Sequence, residues 1–260
     1  MNARTITQTL LVSIVCITLS PVLSHATVIS DTIQVAYKGV DAGGEEALRL
    51  DGSYLHGANG VQVMQTRNAV GSLAEKLPST VWAYCTELGQ YTDFPFNTYN
   101  VVDVNAEFGS VKGNLIRQLW AQHYDKTWET QTYIYYGGNQ GGYTSGQPAN
   151  TPENVKALAF QFALYEIRYD FDETSLSSLS LNAGRFQGDA SGTNPSAAVS
   201  TAAAWLNSLL LPANYQGPLA DLVALKNSSL QDLIVQVPEP TTLGLLALGG
   251  VMVTLRRKKD

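Results

Sequence analysis

The sequence predicts an α+β fold, a β-rich part packed with a smaller helical part, and three observations carry that expectation. The first third of the chain alternates apolar and polar residues in short runs, the period of strands. Two later segments open on a small polar residue followed by proline, the grammar of a helix start. Between its two ends the chain is long enough to bury one good core or two small ones.

In order along the chain, residues 33–37 and 47–50 read as strands or a hairpin, with the glycine-containing segment 39–44 as the turn between them. Residues 80–88 read as a further strand. The alternation places Val81, Ala83, Cys85 and Glu87 on one face and Trp82, Tyr84, Thr86 and Leu88 on the other. Ser110 is positioned to cap a helix over 111–124, in which Val111, Leu115, Leu119 and Trp120 fall at helical spacing and Gly113 is the discordant residue. Thr151-Pro152-Glu153 supplies a capping hydroxyl, a proline at the first helical position and an acid in the first turn, so a helix is expected to run to about Tyr169. Asn194-Pro195-Ser196 repeats that grammar before a stripe of Val199, Ala202, Ala203, Leu206 and Leu209. Residues 182–194 read as a loop and 212–236 as a semi-ordered spacer.

The two ends have a different character. Residues 1–26 hold Arg4, an apolar run over 10–19 and Ser24-His25-Ala26, the layout of a secretory signal peptide with a small-x-small cleavage site. Cys16 leaves with that segment. Residues 237–260 begin Val237-Pro238-Glu239-Pro240, continue through a nearly uncharged run and finish on Arg256-Arg257-Lys258-Lys259. At about 1.5 Å of rise per residue the run falls short of a hydrocarbon core roughly 30 Å thick, so it reads as a tag with transient membrane contact more than a permanent span. Pro238, Glu239 and Pro240, the short apolar stretch and Arg256 with Arg257 resemble the PEP-CTERM sorting signal of Gram-negative bacteria. That resemblance implies recognition by an exosortase and, often, a setting of exopolysaccharide or biofilm. A simple C-terminal anchor is the competing reading.

With both ends set aside, eleven bases face twenty acids, a body of charge −9. Such a surface repels phosphate backbones, so nucleic acid is not expected as a partner. Several motif-like stretches have plain structural readings. The glycine-rich segment 136–143 lacks the Gly-Lys-Ser/Thr ending of a phosphate cradle and reads as a surface loop. Asp103-Val104-Asn105-Ala106-Glu107 lacks the glycine and distal glutamate of a calcium loop. His56, His123 and one cysteine make no zinc spacing, and no cofactor is expected.

Cys85 is then the one thiol left in an exported body, where cysteines ordinarily pair. It is a buried small hydrophobe, a reactive group, or the nucleophile of a Cys-His hydrolase with His123 or His56, although no peptidase motif surrounds it. The helix after Thr151 adds a second residue. Ala157, Phe160, Leu164 and Ile167 form an apolar stripe that includes Gln161, whose carboxamide must find hydrogen-bond partners or react.

Tyr84-Cys85-Thr86-Glu87-Leu88 and Phe160-Gln161-Phe162-Ala163-Leu164-Tyr165 resemble the aromatic-Cys and Φ-Gln-x-x-Φ-Trp motifs of bacterial surface thioester domains, with Tyr165 at the Trp position and Thr86 where a hydrophobic residue is common. The resemblance implies a barrel- or sandwich-like β part with packed helices over residues 27–211, and a thioester between Cys85 and Gln161. It further implies single-use acylation of an amine on a protein or surface target, which is not enzymatic turnover. Tyr84, Phe160, Leu164 and Tyr165 are the expected walls that keep water from the bond. Glu166, Glu87 and His123 are the candidate proton acceptors. The competing class is a matrix component binding polysaccharide noncovalently through Tyr133, Tyr135 and Tyr136, with Cys85 simply buried.

Overall fold

The computed structural model describes residues 30–129, 151–188 and 195–238. The signal-peptide segment, the glycine-rich stretch, Tyr133, Tyr135, Tyr136, Glu239, Pro240, Arg256 and Arg257 lie outside the described residues. The fold is α+β. Seven strands run β1 (Thr32–Leu50), β2 (Ser53–Val70), β3 (Thr80–Cys85), β4 (Asn97–Asp103), β5 (Phe186–Gly188), β6 (Leu222–Lys226) and β7 (Leu233–Gln236). Four α-helices are α1 (Val104–Phe108), α2 (Ser110–His123), α3 (Pro152–Asp170) and α4 (Pro195–Ser208).

The strands are hydrogen-bonded in the order β2-β3-β7-β6-β4-β1, and β1 pairs back onto β2, so six antiparallel strands close into a barrel. Closure removes the exposed edges that an open sheet of these strands would leave. It is possible because β1 is long enough to hold two partners on one edge. Its first residues pair with β4 from Thr32↔Asn100 to Val35↔Asn97, while Leu48–Leu50 receives the short β5.

Three local expectations are corrected. Residues 39–44 are not a turn: β1 continues through them, and the register shifts at Tyr37/Gly39 and Val40/Ala42 bend the strand as bulges. The hairpin turn is Asp51-Gly52, both at positive φ (51° and 80°), the geometry a two-residue hairpin loop requires and one that Asp-Gly satisfies. Residues 212–236 are not a spacer. They carry β6 and β7, which sit between β4 and β3 in the ring, so the folded unit runs well past residue 211. Within 182–194, residues 186–188 form β5.

The helices follow the sequence grammar with one shift and one addition. Thr151 caps α3, its hydroxyl accepting from the Asn154 amide at 3.2 Å, with Pro152 in the first turn. α2 starts where expected, but Gly109 is its cap and no side chain bonds the first turn, so Ser110 is already helical. The Asp103-to-Glu107 stretch is a strand-to-helix junction: Asp103 caps α1 by accepting from the Asn105 amide at 2.7 Å and pairs with Arg117 at 2.6 Å. Burial on α3 exceeds an amphipathic stripe. Every residue from Ala157 to Ile167 is buried, because barrel strands, α2 and α4 surround the helix.

Gly113 has a packing reason. A Cβ there would lie 2.3 Å from Asn105 Oδ1 and 2.9 Å from Asn105 Cα, so α1 can approach α2 only over a bare backbone. Gly113→Ala is expected to lower unfolding stability by about 1–3 kcal/mol despite alanine's better helix propensity. Urea unfolding of the variant checks this, and a gain in stability would refute the close-approach account.

Candidate functional site

β3 delivers Cys85 at its last residue. Its antiparallel partner on one side is β7, with Cys85 opposite Leu233, and on the other side β2 pairs with Thr80 to Ala83 only. β2 therefore leaves before residue 85, and the Cys85 N–H and C=O on that edge have no strand to bond. Gln161 of α3 takes the strand's place. The Cys85 amide donates to Gln161 Oε1 at 3.2 Å, and Gln161 Nε2 donates to the Cys85 carbonyl at 2.8 Å. Both residues are buried, Cys85 at 1% and Gln161 at 0% exposure, and they stand 76 positions apart in the chain. The carboxamide of Gln161 thus rests on the backbone of Cys85.

The sulfur has its own polar surroundings. Gln62, diagonal to Cys85 across the β2–β3 pair, donates from Nε2 to Sγ at 2.9 Å. Burial raises the thiol far above its ordinary range, a hydrogen bond with Tyr165 lowers it, the charge of Glu87 raises it and a hydrogen bond with Gln231 lowers it again. Gln231 also donates from Nε2 to the Glu87 carbonyl at 2.9 Å, which fixes it beside the strand end. A cysteine acting only as a small hydrophobe needs no such set of polar neighbours.

The expected walls are all buried, and they divide into two groups. Tyr84 faces the helices, its ring 4.8 Å from Phe160 and 5.7 Å from Trp120, and Phe160 continues that cluster to Tyr124, Trp128 and Trp205. Tyr165 is the wall that reaches the sulfur, and its ring also packs on Phe186 at 5.5 Å. Leu164 is fully buried in the same core.

Of the candidate proton acceptors, Glu87 alone is near. Its Oε1 accepts from the Asp232 amide at 3.3 Å and Oε2 faces Arg168 at 3.8 Å; burial and the Asp232 charge raise its carboxyl. Glu166 accepts from the Ser180 amide at 2.6 Å, on another side of α3. His123 stacks on Trp205 and shares a 3.0 Å hydrogen bond with Ser208 of α4, and burial lowers its imidazole. Neither engages Cys85 or Gln161, so no histidine is hydrogen-bonded to the thiol among the described residues. No cluster of three or more His, Cys, Asp or Glu is placed to hold a metal among those residues either.

Gln62 and Gln231 were not singled out in the sequence. The signal for Gln62 was present, a glutamine inside the run Val61-Gln62-Val63-Met64, every member of which is buried. Gln231 gave none, because its segment reads as linker.

Fold and site together define a closed six-stranded barrel with a central buried helix that brings a glutamine onto a buried cysteine. The family model for the PEP-CTERM protein-sorting motif matches residues 236–259, where the sequence placed such a signal. The chain is similar to the solved N-terminal thioester domain of fibronectin-binding protein SfbI from Streptococcus pyogenes, at 15% identity over 69% of this chain and 87% of that one, with a TM-score of 0.38. No curated protein matches the chain. A backbone likeness of that extent assigns no chemistry.

Proposed function

We propose that this is an exported, surface-associated protein in which Cys85 and Gln161 form an internal thioester that one amine-bearing partner opens, leaving a covalent attachment for adhesion or matrix anchoring. The observation that carries the reading is the burial of the Gln161 carboxamide directly on Cys85, which supplies proximity and dryness together. In formation, Sγ attacks Cδ of Gln161, the C–N bond breaks, and the thiol proton leaves with the amide nitrogen as ammonia. The acyl oxygen begins in a hydrogen bond from the Cys85 amide, a donor placed where negative charge develops. In use, an amine nitrogen attacks the same carbon, the C–S bond breaks, and Cys85 regains its proton as a thiol.

Because the acyl group is consumed, the protein acts once and is not an enzyme. His123 is hydrogen-bonded to Ser208 and not to Cys85, so among the described residues nothing supplies the base that a Cys-His hydrolase depends on. The amino-terminal segment serves as the signal peptide. The sorting motif implies exosortase handling and brief membrane contact at the surface of a Gram-negative cell. One observation favours a second reading: the same two hydrogen bonds satisfy Gln161 as an unreacted core residue, which would leave a noncovalent matrix component with a buried thiol.

Intact-mass analysis of the purified mature protein separates the two. A thioester chain is lighter by one ammonia, resists thiol alkylation, and on methylamine treatment gains one methylamine and one alkylatable thiol. Full mass in freshly folded wild-type protein would leave the noncovalent reading standing.

A further inference from the structure

Gln62 is a buried polar side chain at this site that neither the sorting motif nor the Cys85–Gln161 pair accounts for. It is only 4% exposed, and its Nε2 donates to Sγ at 2.9 Å, yet its Oε1 has no hydrogen-bond partner. A strand position that called for filling alone would take valine or leucine, as its neighbours Val61 and Val63 do. A buried carbonyl oxygen without a donor is destabilising, so the amide stands there against a penalty. From amide bond lengths, that oxygen lies within about 5.5 Å of the sulfur.

We propose that Gln62 is a positioning residue for opening the thioester, holding the departing sulfur with Nε2 while its free Oε1 accepts a hydrogen bond from the incoming primary amine. This rests on the thioester reading above. The step balances without a further reagent. The amine nitrogen bonds to Gln161 Cδ, the electron pair of the C–S bond goes to sulfur, and one amine proton ends on Cys85. A donor at sulfur stabilises charge that develops only as the bond breaks, so it acts on the rate. An acceptor within reach turns the amine's lone pair to the acyl carbon, and the amine in turn satisfies the orphaned oxygen.

The test uses the mature wild-type protein beside Gln62→Leu and Gln62→Met, the second keeping the length of the side chain in case the first does not fold. The methylamine rate is followed by intact mass. After opening, the pH at which Cys85 becomes alkylatable is measured with iodoacetamide, a readout that a purely structural role leaves in place. Loss of both contacts is expected to slow methylamine opening about tenfold or more and to move the alkylation profile upward by about one pH unit. A Gln62→Met chain that carries the thioester, opens at the wild-type rate and keeps the wild-type profile overturns the role of Gln62 alone. A wild-type chain that never loses ammonia overturns the thioester and, with it, this role.

Discussion

Gln161→Ala is expected to be less stable than Cys85→Ala by about 2–4 kcal/mol, although each removes one of the two atoms the thioester needs. Neither variant can cross-link, so the comparison is free of any contribution from the bond itself. Removing the sulfur leaves Gln161 on the backbone of residue 85, and the strand end stays satisfied. Removing the carboxamide strips a buried N–H and a buried C=O of their partners at the place where β2 has already parted from β3, and it leaves a cavity inside a fully enclosed helix. Urea unfolding of the two variants at one pH measures the difference. Equal stabilities would mean that the carboxamide does not complete the strand.

The second large effect is one of pH. Glu166 is fully buried on α3, one carboxylate oxygen accepting from the Ser180 amide and the other without a partner, and burial pushes its carboxyl up to about 8. A carboxyl raised on folding binds its proton more tightly in the native state, so the native state holds the extra proton over the window between the two values. Its contribution is complete below about 4.5, the ordinary value, and is lost as pH rises through 8. From pH 4.5 to pH 7 the loss is on the order of 3 kcal/mol. Glu166→Gln keeps an acceptor for Ser180 and cannot ionise, so it is expected to be more stable than wild type at pH 7 and to lose less stability than wild type as pH rises across that range. Thermal melts of both proteins from pH 4.5 to 8 test this, and parallel curves would remove Glu166 from the account.

Features set by neighbouring residues were legible in the sequence. Thr151-Pro152 fixed the start of α3 because capping is a local contact, and the alternation around Cys85 placed Tyr84 on the opposite face because a strand has only two faces. Features set by distant pairing were not. The runs Leu222–Lys226 and Leu233–Gln236 are short and lie near Pro212, Gly217 and Pro218 in a segment that resembles linker, and only the ring of partners makes them barrel strands. Gly113 looked like a flaw because α1, the helix that packs on it, was not foreseen. At the site, sequence reached Cys85 and Gln161 through motif resemblance. Gln62 belongs to it through strand register and Gln231 through the segment that leads into β7, and neither pairing is encoded by its neighbours in the chain.

The place of β7 sets a timetable. It lies between β3 and β6, and the residues that match the PEP-CTERM protein-sorting motif begin at its last residue. A chain threaded outward from its amino end carries residues 62, 85 and 161 across long before residue 236, so the barrel stays open until almost the whole polypeptide has been translocated. Gln231, which helps surround the sulfur, arrives with that final strand. Under the proposed function, the enclosure that keeps Cys85 and Gln161 dry is complete only when this strand is in place, so the thioester would form after almost all of the chain has been made and moved.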